Sequence, residues 1–428
     1  MDTLPIVGQS YRPRLIDHVV SQGLAAAGAV LIEGARACGK TMTGLNAAES
    51  YVFVDDEASQ QMRGIAPQAL LDGGPPRLVD EWQLAPELWN MVRRRVDASP
   101  EPGLFILTGS SVPSDDVTRH TGAGRVLRLR QRTMTWLEKD EDIAAGGDDV
   151  SLADLFAGGR PTGGLDSPAT LDDVLRRLVE PGFPGMVGRG ASASRLLTRG
   201  YLDDVARLDL PRLIDMRRDP AAIARLLASI ARNVSSEVSY TTLAADVGSV
   251  APGISADTVR TYVDSLERLF VVEKQPAWTP RLRSRARLRT ADKWHLADPC
   301  LAVVALGASA ETLKRDLNTA GLLFESAVVH DLRVLGAPLG LDVRHFRDSN
   351  GREIDAVLTL PDGRWAALEV KLSGLQVAAG AASLAAAVND VDSAAAGEPA
   401  FRLVVTGTGQ TFTLDDGAIT CPLSALRP

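Results

Sequence analysis

The clearest chemical pattern in this sequence is a short glycine-rich stretch near its start. Gly34 to Thr41, GARACGKT, fits G-x-x-x-x-G-K-[S/T] at every specified position, after an apolar run and before a helical pattern. In such a loop backbone N–H groups surround phosphates, Lys40 supplies charge at the β- and γ-phosphates, and the Thr41 hydroxyl reaches Mg²⁺. An incidental glycine-rich turn is the alternative. The predicted nucleotide-binding residues are Gly34, Ala35, Arg36, Ala37, Cys38, Gly39, Lys40 and Thr41.

A second chemical group follows later apolar runs. RLVDEWQ ends a strand pattern in Asp80 and Glu81, at the sheet edge that should also carry the phosphate loop. Asp80 is predicted to hold Mg²⁺, and Glu81 to act as the general base that polarises the attacking water. A solvated acidic turn is the alternative. In the next run, LFILTGS, Thr108 or Ser110 either contacts the γ-phosphate or the water, or is structural.

Arg125 and Cys38 each allow two interpretations. Arg125 follows a glycine-rich turn and is either an arginine finger that stabilises transition-state charge or a surface residue in an arginine-rich chain. As a finger it could act in its own site or in that of a neighbouring copy. Cys38 lies inside the loop, where a helix N-terminus can activate a thiol, so it is either redox-sensitive or an exposed small residue.

A third chemical group lies near the end of the chain, in GREIDAVLTLPDGRWAALEVK. Asp355 begins one strand pattern, while Glu369 and Lys371 end the next and share a face because they are two residues apart. Glu325 lies on a helical pattern upstream. Two carboxylates can bind Mg²⁺, and a lysine can stabilise an anionic phosphate transition state, which predicts a metal-dependent nuclease. The alternative is a buried ion-pair cluster in a docking domain.

The elements that must position these groups change along the chain. Strand and helix patterns alternate to about residue 137, which predicts a parallel sheet with crossover helices. The predicted strands cover residues 29–34, 51–56, 77–81 and 104–110. Residues from 171 to about 300 are mostly helical by periodicity, and the remainder alternates helix and strand, with an alanine-rich helix at 376–396.

The middle region has the order of a winged helix-turn-helix: helix, turn, longer helix, then an apolar strand. Four residues on or beside the longer helix could meet DNA or RNA: Thr258, Arg260, Thr261 and Arg268. Alternatively, the helix only packs against the core. Five arginines at two-residue spacing, Arg281 to Arg289, make either a phosphate-tracking stripe or a solvated edge strand.

The composition of the chain limits the remaining choices. At 428 residues, 45% of them hydrophobic, it should form two or three domains. The net charge of −8 argues against a general nucleic-acid coat protein. The chain has 40 arginines and only 6 lysines, two of which, Lys40 and Lys371, lie in the motifs above. Without a membrane-length apolar run, a signal-peptide layout or a disulfide spacing, we expect a cytoplasmic protein with no membrane partner.

The order of these motifs resembles that of the bacterial and archaeal AAA-type ATPases with a C-terminal DUF4143 domain. The matching residues are GARACGKT, LVDEWQLAPELWN, ILTGSS, GAGRVLRLR with WLE, KWHLADP and the C-terminal motif. The resemblance implies an α/β P-loop NTPase core, a helical and winged-helix region, and a restriction-endonuclease-like domain of the PD-(D/E)xK type. In KWHLADP, Lys293 and Asp298 would be structural partners. The expected domains are 1–137 (ATPase), 138–170 (linker or insertion), 171–315 (helical and winged-helix) and 316–428 (DUF4143-like).

Three functions stay open at this point. In the first, Mg²⁺-dependent ATP hydrolysis repositions the winged-helix and C-terminal regions. In the second, ATP gates a nucleic-acid-processing enzyme whose nuclease site lies in the C-terminal domain. In the third, nucleotide state is only a signal in a regulatory protein that binds a partner. A homo-oligomer or a partner protein is compatible with each of them.

Overall fold

The structure is a computed structural model that describes residues 11–110, 122–140, 149–161, 165–167 (backbone only), 169–211, 219–280, 291–348 and 350–428. These residues divide into two compact units. The first consists of the described part of Met1–Met134, together with Phe183–Gly185 and Ser265–Val271. The second consists of the described parts of Thr135–Gly182, Met186–Asp264 and Val272–Pro428.

The first unit is built on a five-stranded parallel sheet. Its strands are β1 (Ala29–Glu33), β2 (Ser50–Phe53), β3 (Arg77–Asp80), β4 (Phe105–Gly109) and β5 (Val126–Arg130), in the spatial order β2-β3-β4-β1-β5. The predicted parallel sheet and its four predicted strands are confirmed. Because every strand is parallel, the carboxyl ends meet at one edge, where Glu33 is level with Gly109 and Arg130.

Helices cover both faces of this sheet. They are α1 (Leu15–Ala26), α2 (Lys40–Ala47), α3 (Glu57–Ile65) and α4 (Leu88–Asp97), with 3₁₀ turns at Pro67–Leu71 and Trp82–Leu84. Side chains alternate along β1, so Val30 belongs to the core cluster that contains Val20 of α1, and Leu31 to the one that contains Leu88 of α4. Burial on both faces explains why the central strands β1 and β4 are continuous apolar runs.

The second unit combines helices with a mixed seven-stranded sheet. Its helices are α5 (Trp136–Lys139), α6 (Leu152–Phe156), α7 (Leu171–Val179), α8 (Ala191–Asp204, continued by a π-helical turn at Val205–Asp209), α9 (Pro220–Arg232), α10 (Tyr240–Val247), α11 (Ala256–Arg268, whose last residues belong to the first unit), α12 (Pro299–Ala305), α13 (Ala310–Arg315), α14 (Leu317–Leu335), α15 (Val377–Asn389) and α16 (Ser393–Ala396). Short 3₁₀ turns occupy Ala337–Leu339, Gly374–Gln376 and Leu423–Ala425.

The strands of the second unit are β6 (Val150–Ser151), β7 (Leu165–Ser167), β8 (Val272–Gln275), β9 (Lys293–Leu296), β10 (Asp342–Arg347), β11 (Glu353–Thr359), β12 (Trp365–Lys371), β13 (Arg402–Thr406), β14 (Gly409–Thr413), β15 (Ile419–Pro422) and β16 (Leu426–Arg427). The large sheet has the order β10-β11-β12-β13-β15-β14-β7. The predicted antiparallel pair β11–β12 is confirmed, as is the alanine-rich helix α15, whose Leu384 packs with Val357 and Trp365.

The stretch 138–170, expected to be a linker or an insertion, contributes strands to two sheets of the second unit. Within its described residues, β6 pairs in parallel with β16, and β7 pairs antiparallel with β14 at the edge of the large sheet. The glycine- and aspartate-rich composition indicated a boundary, but this stretch also supplies strands to partners near the end of the chain. Those partners are distant in sequence, so composition alone could not reveal them.

Candidate functional site

The glycine-rich loop connects the carboxyl end of β1 to the start of α2, as its motif predicts. Gly34 has no room for a side chain, because a Cβ there would lie 2.1 Å from the Gln131 carbonyl oxygen. Gly39, the residue before α2, has φ +102°, in the left-handed region that glycine adopts readily. Close packing therefore requires the first glycine of the motif, and backbone conformation requires the second.

Lys40 is folded back onto its own loop. Its ammonium donates to the Gly34 carbonyl at 3.0 Å and to the Ala35 carbonyl at 2.9 Å. The residue is only 5% exposed. A buried ammonium that is held by weakly basic carbonyls rather than by a carboxylate can still interact with an anion, and the loop is where a phosphate would lie.

Two residues outside the motif hold the loop in place. Arg14, immediately before α1, donates to the Cys38 carbonyl at 3.1 Å. Gln131, immediately after β5, donates through its amide to the same carbonyl at 3.2 Å and to the Thr43 hydroxyl at 3.1 Å. Sequence reasoning missed both residues, because no local pattern links a residue before one helix, or one after a distant strand, to the loop.

Cys38 lies inside the loop's packing. It is 0% exposed, and its thiol is 3.5 Å from the Gln131 carbonyl oxygen, to which it donates. The interpretation of Cys38 as an exposed small residue is therefore wrong. Burial also keeps oxidants away from the sulfur, which argues against the redox-sensitive alternative.

Beside the loop, three polar side chains converge on the carboxyl edge of the sheet. The Thr41 hydroxyl donates to the Asp80 carboxylate oxygens at 2.9 and 3.1 Å. The Thr108 hydroxyl also donates to Asp80, and it accepts the Glu81 backbone N–H at 3.3 Å. Because β4 lies between β1 and β3, Thr108 is placed between the loop and the acidic pair.

Glu81 has an uncommon backbone conformation for a residue with a side chain. Its φ is +54°, in the left-handed region, and the Gln83 amide donates to its carboxylate. Burial raises the pKa of Glu81, and the charge of Lys40 opposes that shift. Burial also raises the pKa of Asp80, against hydrogen bonds from Thr108 and Thr41. A raised pKa makes Glu81 a better proton acceptor near neutral pH.

Arg125 lies at the opposite edge of the sheet. Its carbonyl accepts the N–H of Ala29, the first residue of β1, and its guanidinium forms an exposed ion pair with Asp97. The loop begins at the other end of β1, roughly 15 Å away at about 3.3 Å per residue. The prediction that Arg125 serves as a finger in its own site is therefore wrong, and the surface interpretation describes its contacts.

The predicted C-terminal residues come together on β11, β12 and α14. The Lys371 ammonium lies 2.7 Å from the Glu369 carboxylate on the same face of β12. Asp355, on the neighbouring strand β11, accepts the backbone N–H of Val370 at 2.8 Å. Hairpin pairing thus brings the two carboxylates to one place, as the strand patterns predicted.

Two charged residues that sequence reasoning left out of this group complete it. The Lys293 ammonium, on β9, lies 2.7 Å from Glu325, 2.5 Å from Glu353 and 3.9 Å from Asp355. Glu353 shares a face of β11 with Asp355 because the two are two residues apart, so strand alternation could have revealed it. Lys293 could not be found in this way, since β9 is remote in sequence. We call these six residues the acidic cluster: Lys293, Glu325, Glu353, Asp355, Glu369 and Lys371.

The expected pairing of Lys293 with Asp298 is wrong. Asp298 precedes α12 and accepts the backbone N–H groups of Cys300 at 3.0 Å and Gly182 at 2.9 Å. It therefore caps a helix and anchors a loop. Lys293 instead extends from β9 towards the carboxylates of α14 and β11.

Burial dominates the electrostatics of the acidic cluster. It raises the pKa of Glu325 to about 8 and that of Glu369 to about 7, and in both cases the charge of Asp355 adds to the shift. Burial opposes protonation of Lys293, yet the charges of the neighbouring carboxylates raise its pKa. Among the described residues, no group of three or more His, Cys, Asp or Glu side chains is arranged to hold a metal ion.

Residues proposed to contact nucleic acid lie on α11, which carries both signs of charge. Thr258, Arg260, Thr261 and Arg268 all belong to this helix. Arg260 is exposed and lies over the Tyr240 ring, 5.8 Å from its centroid, but the neighbouring Asp257 and Asp264 are exposed as well. These carboxylates would repel a phosphate backbone. The stripe from Arg281 to Arg289 falls outside the described residues.

Comparison with known protein families agrees with the motif order. Residues 26–138 match the model described as an AAA domain. Residues 320–426 match a domain of unknown function, DUF4143. The chain therefore contains one region similar to an AAA domain and one similar to a DUF4143 domain. Residues 171–312 match another domain of unknown function, DUF8612. The predicted family resemblance is confirmed to this extent, and the nuclease-like character of the DUF4143 domain stays a prediction.

Among solved structures, the Walker-type ATPase PABY2304 of Pyrococcus abyssi is similar at 14% identity and a TM-score of 0.40. The match covers 69% of this chain and 96% of that one. No curated protein matches the chain. Within the described residues, no helix combines the length and apolar character needed to cross a bilayer.

Proposed function

We propose that the AAA domain of this protein hydrolyses ATP in a Mg²⁺-dependent reaction. The observation that carries the proposal is the polar network beside the loop, in which Thr41, Asp80 and Thr108 are joined by hydrogen bonds. The same network fixes Glu81 through its backbone N–H. A phosphate loop alone would bind nucleotide. Hydrolysis also requires a proton acceptor for the attacking water, and an adjacent carboxylate with a raised pKa supplies one.

The loop residues fit an ATP phosphate chain. Lys40 already directs its ammonium along the loop, where it would neutralise charge on the β- and γ-phosphates. The backbone N–H groups from Gly34 to Thr41 would donate to the phosphate oxygens at the start of α2. Arg14 and Gln131 would keep the loop open for this by holding the Cys38 carbonyl.

The donor set of Thr41 and Asp80 fits Mg²⁺, which prefers hydroxyl, carboxylate and phosphate oxygens. When bound, the ion would neutralise charge that develops on the transferred phosphoryl group. Thr41 and Asp80 would hold it, and Thr108 would keep the Asp80 carboxylate oriented through its hydrogen bond. Glu81 would accept a proton from the attacking water, for which the upward shift of its pKa suits it.

Two substitutions test this assignment together. Lys40→Ala should abolish both ATP binding and turnover, whereas Glu81→Gln should retain binding and lose turnover, since the amide keeps the shape but not the basicity. Binding is measured with a fluorescent ATP analogue and turnover by phosphate release. Turnover that persists in Lys40→Ala would show that the loop assignment is wrong, and equal loss of binding in Glu81→Gln would make Glu81 structural.

Coupling of nucleotide state to the rest of the chain is the second part of the proposal. The first unit includes two short segments from far along the sequence. The segment Phe183–Gly185 lies beside the loop, since the Pro184 side chain would be only 3.3 Å from a Cβ atom at Gly39. The other places the Phe270 ring 3.9 Å from the guanidinium of Arg130, at the end of β5. Rearrangement of the loop would therefore act on chain that leads directly into the second unit.

Hydrogen exchange can test the coupling. In Glu81→Gln saturated with ATP and Mg²⁺, we expect altered exchange in peptides that contain Pro184 or Phe270 and in the helices that follow them. Lys40→Ala under the same conditions is the control and should show no change. A response confined to the loop, Asp80 and Glu81 would contradict the coupling and leave the ATPase assignment intact.

The nuclease alternative draws support from the proximity of Asp355, Glu369 and Lys371, and is opposed by the position of Lys293 among the carboxylates. A winged-helix role for α10, α11 and the antiparallel pair β8–β9 likewise stays a proposal. Incubation of the protein with duplex DNA and RNA in Mg²⁺ or Mn²⁺ tests cleavage and binding together.

A cytoplasmic location is also part of the proposal, since the chain's free cysteines suit a reducing compartment.

A further inference from the structure

We propose that the ammonium of Lys293 is the resident cation of the acidic cluster, so that the DUF4143 domain of this chain needs no metal ion there. The position that a divalent metal would take among the carboxylates is filled by the side chain of a residue from another element. Under this proposal the acidic cluster is a structural ion-pair network that connects β9, α14 and β11. The residues of the nuclease motif are then present without a metal ion.

The geometry of Lys293 is that of a coordinated cation. Its Nζ donates a charge-assisted hydrogen bond to a Glu325 oxygen at 2.7 Å and forms an ion pair with a Glu353 oxygen at 2.5 Å. Asp355 is next, at 3.9 Å. An ammonium has three N–H groups, and three carboxylates surround it. A metal bound by these same oxygens would have to replace the ammonium.

Lys293 has little freedom to move aside. Its side chain is 3% exposed, and its backbone is paired with Gln275 in the β8–β9 ladder. The Gln275 amide in turn donates to the Asp355 carbonyl at 2.8 Å, which ties β8 to β11. Displacement of the ammonium would leave it buried without its partners, and an uncompensated buried charge is strongly destabilising.

The remaining carboxylate also has a lysine partner. Glu369, the second expected metal ligand, lies 2.7 Å from the Lys371 ammonium. Lys293 and Lys371 therefore each neutralise part of the acidic cluster.

Counting bound Mn²⁺ in the intact chain tests the proposal without disturbing Lys293. Mn²⁺ is titrated into nucleotide-free wild type and Asp355→Asn, with and without a duplex DNA oligonucleotide, and bound ion is measured by electron paramagnetic resonance. Any Mn²⁺ at Thr41 and Asp80 is common to both proteins and cancels. We expect the same stoichiometry in both. One Mn²⁺ per chain fewer in Asp355→Asn would overturn the proposal, because it would place a metal in the acidic cluster.

Removal of the resident cation provides the converse test. Lys293→Gln leaves Glu325, Glu353 and Asp355 facing one another, so we expect it to gain one Mn²⁺ per chain and to unfold at a higher temperature when Mn²⁺ is added. The matched control is Lys314→Gln, which removes an exposed lysine paired with Asp172. This control should bind no additional Mn²⁺ and should show no Mn²⁺-dependent rise in unfolding temperature. A folded Lys293→Gln that binds no additional Mn²⁺ would contradict the proposal. If this variant does not fold, the wild-type stoichiometry decides.

Discussion

Replacing Thr108 with valine should separate nucleotide binding from hydrolysis. Thr108 is 1% exposed and makes two hydrogen bonds at once, as donor to the Asp80 carboxylate and as acceptor from the Glu81 N–H. Valine has nearly the same shape, so the packing of β4 should persist while both hydrogen bonds disappear. The loop itself, including Lys40, is not touched by the substitution.

The size of the effect follows from the two bonds. A hydrogen bond to a charged group contributes about 1.5–3 kcal/mol, and one between neutral groups about 0.5–1.5 kcal/mol, so Thr108→Val should lower the free energy of unfolding by about 2–4 kcal/mol. The second bond also stabilises Glu81 in its left-handed conformation, which costs on the order of 1–3 kcal/mol. If Glu81 relaxes, loss of about 1.4–2.7 kcal/mol of transition-state stabilisation lowers kcat about 10- to 100-fold.

The assay compares wild type, Thr108→Val and Thr108→Ser under conditions where all three are folded. Urea unfolding gives the loss of stability, a fluorescent ATP analogue gives the dissociation constant, and single-turnover phosphate release gives the hydrolysis rate. Serine keeps the hydroxyl and should retain most of the wild-type rate. Our account of the network would be refuted if valine matched serine in hydrolysis, or if valine weakened nucleotide binding as much as it slowed hydrolysis.

Three further predictions concern the loop and the C-terminal sheet. Gly34→Ala should abolish ATP binding, because its Cβ would lie 2.1 Å from the Gln131 carbonyl oxygen; unchanged binding would contradict the packing. ATPase activity should survive a mild thiol oxidant, because Cys38 is 0% exposed, and Cys38→Ala should behave like wild type; activity lost only in wild type would revive the redox hypothesis. Burial lowers the pKa of His345 from 6.5 to about 4, so stability present above pH 6.5 should fall by up to about 3 kcal/mol towards pH 4. In His345→Gln, the free energy of unfolding measured in urea should decrease less between pH 6.5 and pH 4 than in wild type. An equal decrease in both proteins would contradict this assignment.

The candidate ATPase site was largely predictable from sequence because its requirements are local. Gly34, Lys40 and Thr41 lie within one short motif, and Asp80 ends a strand whose carboxyl end must meet that loop at the same edge of a parallel sheet. The resemblance of the motif order to known ATPases added the domain order. Continuous apolar runs predicted four strands of the first unit, because burial on both faces of a sheet favours such runs over alternation.

Contacts between distant elements were not predictable in the same way. Arg125 follows a glycine-rich turn that suited a finger, but its place at the amino edge depends on the pairing of β5 with β1. Arg14 and Gln131 both donate to one loop carbonyl because the start of α1 and the end of β5 lie beside the loop. Neither spacing nor composition carries that information, because residues far apart in sequence become partners only through strand order and helix packing.

The C-terminal motif shows which features the sequence determines and which depend on the tertiary structure. The sequence by itself determined that Asp355, Glu369 and Lys371 share one site, because strand alternation and a tight hairpin fix which faces meet. Only the tertiary structure decided which second cation lies beside these carboxylates, since β9 brings the Lys293 ammonium to 3.9 Å from Asp355 and 2.7 Å from Glu325. A spacing pattern records which carboxylates converge, whereas the cation among them depends on an element that the pattern does not contain.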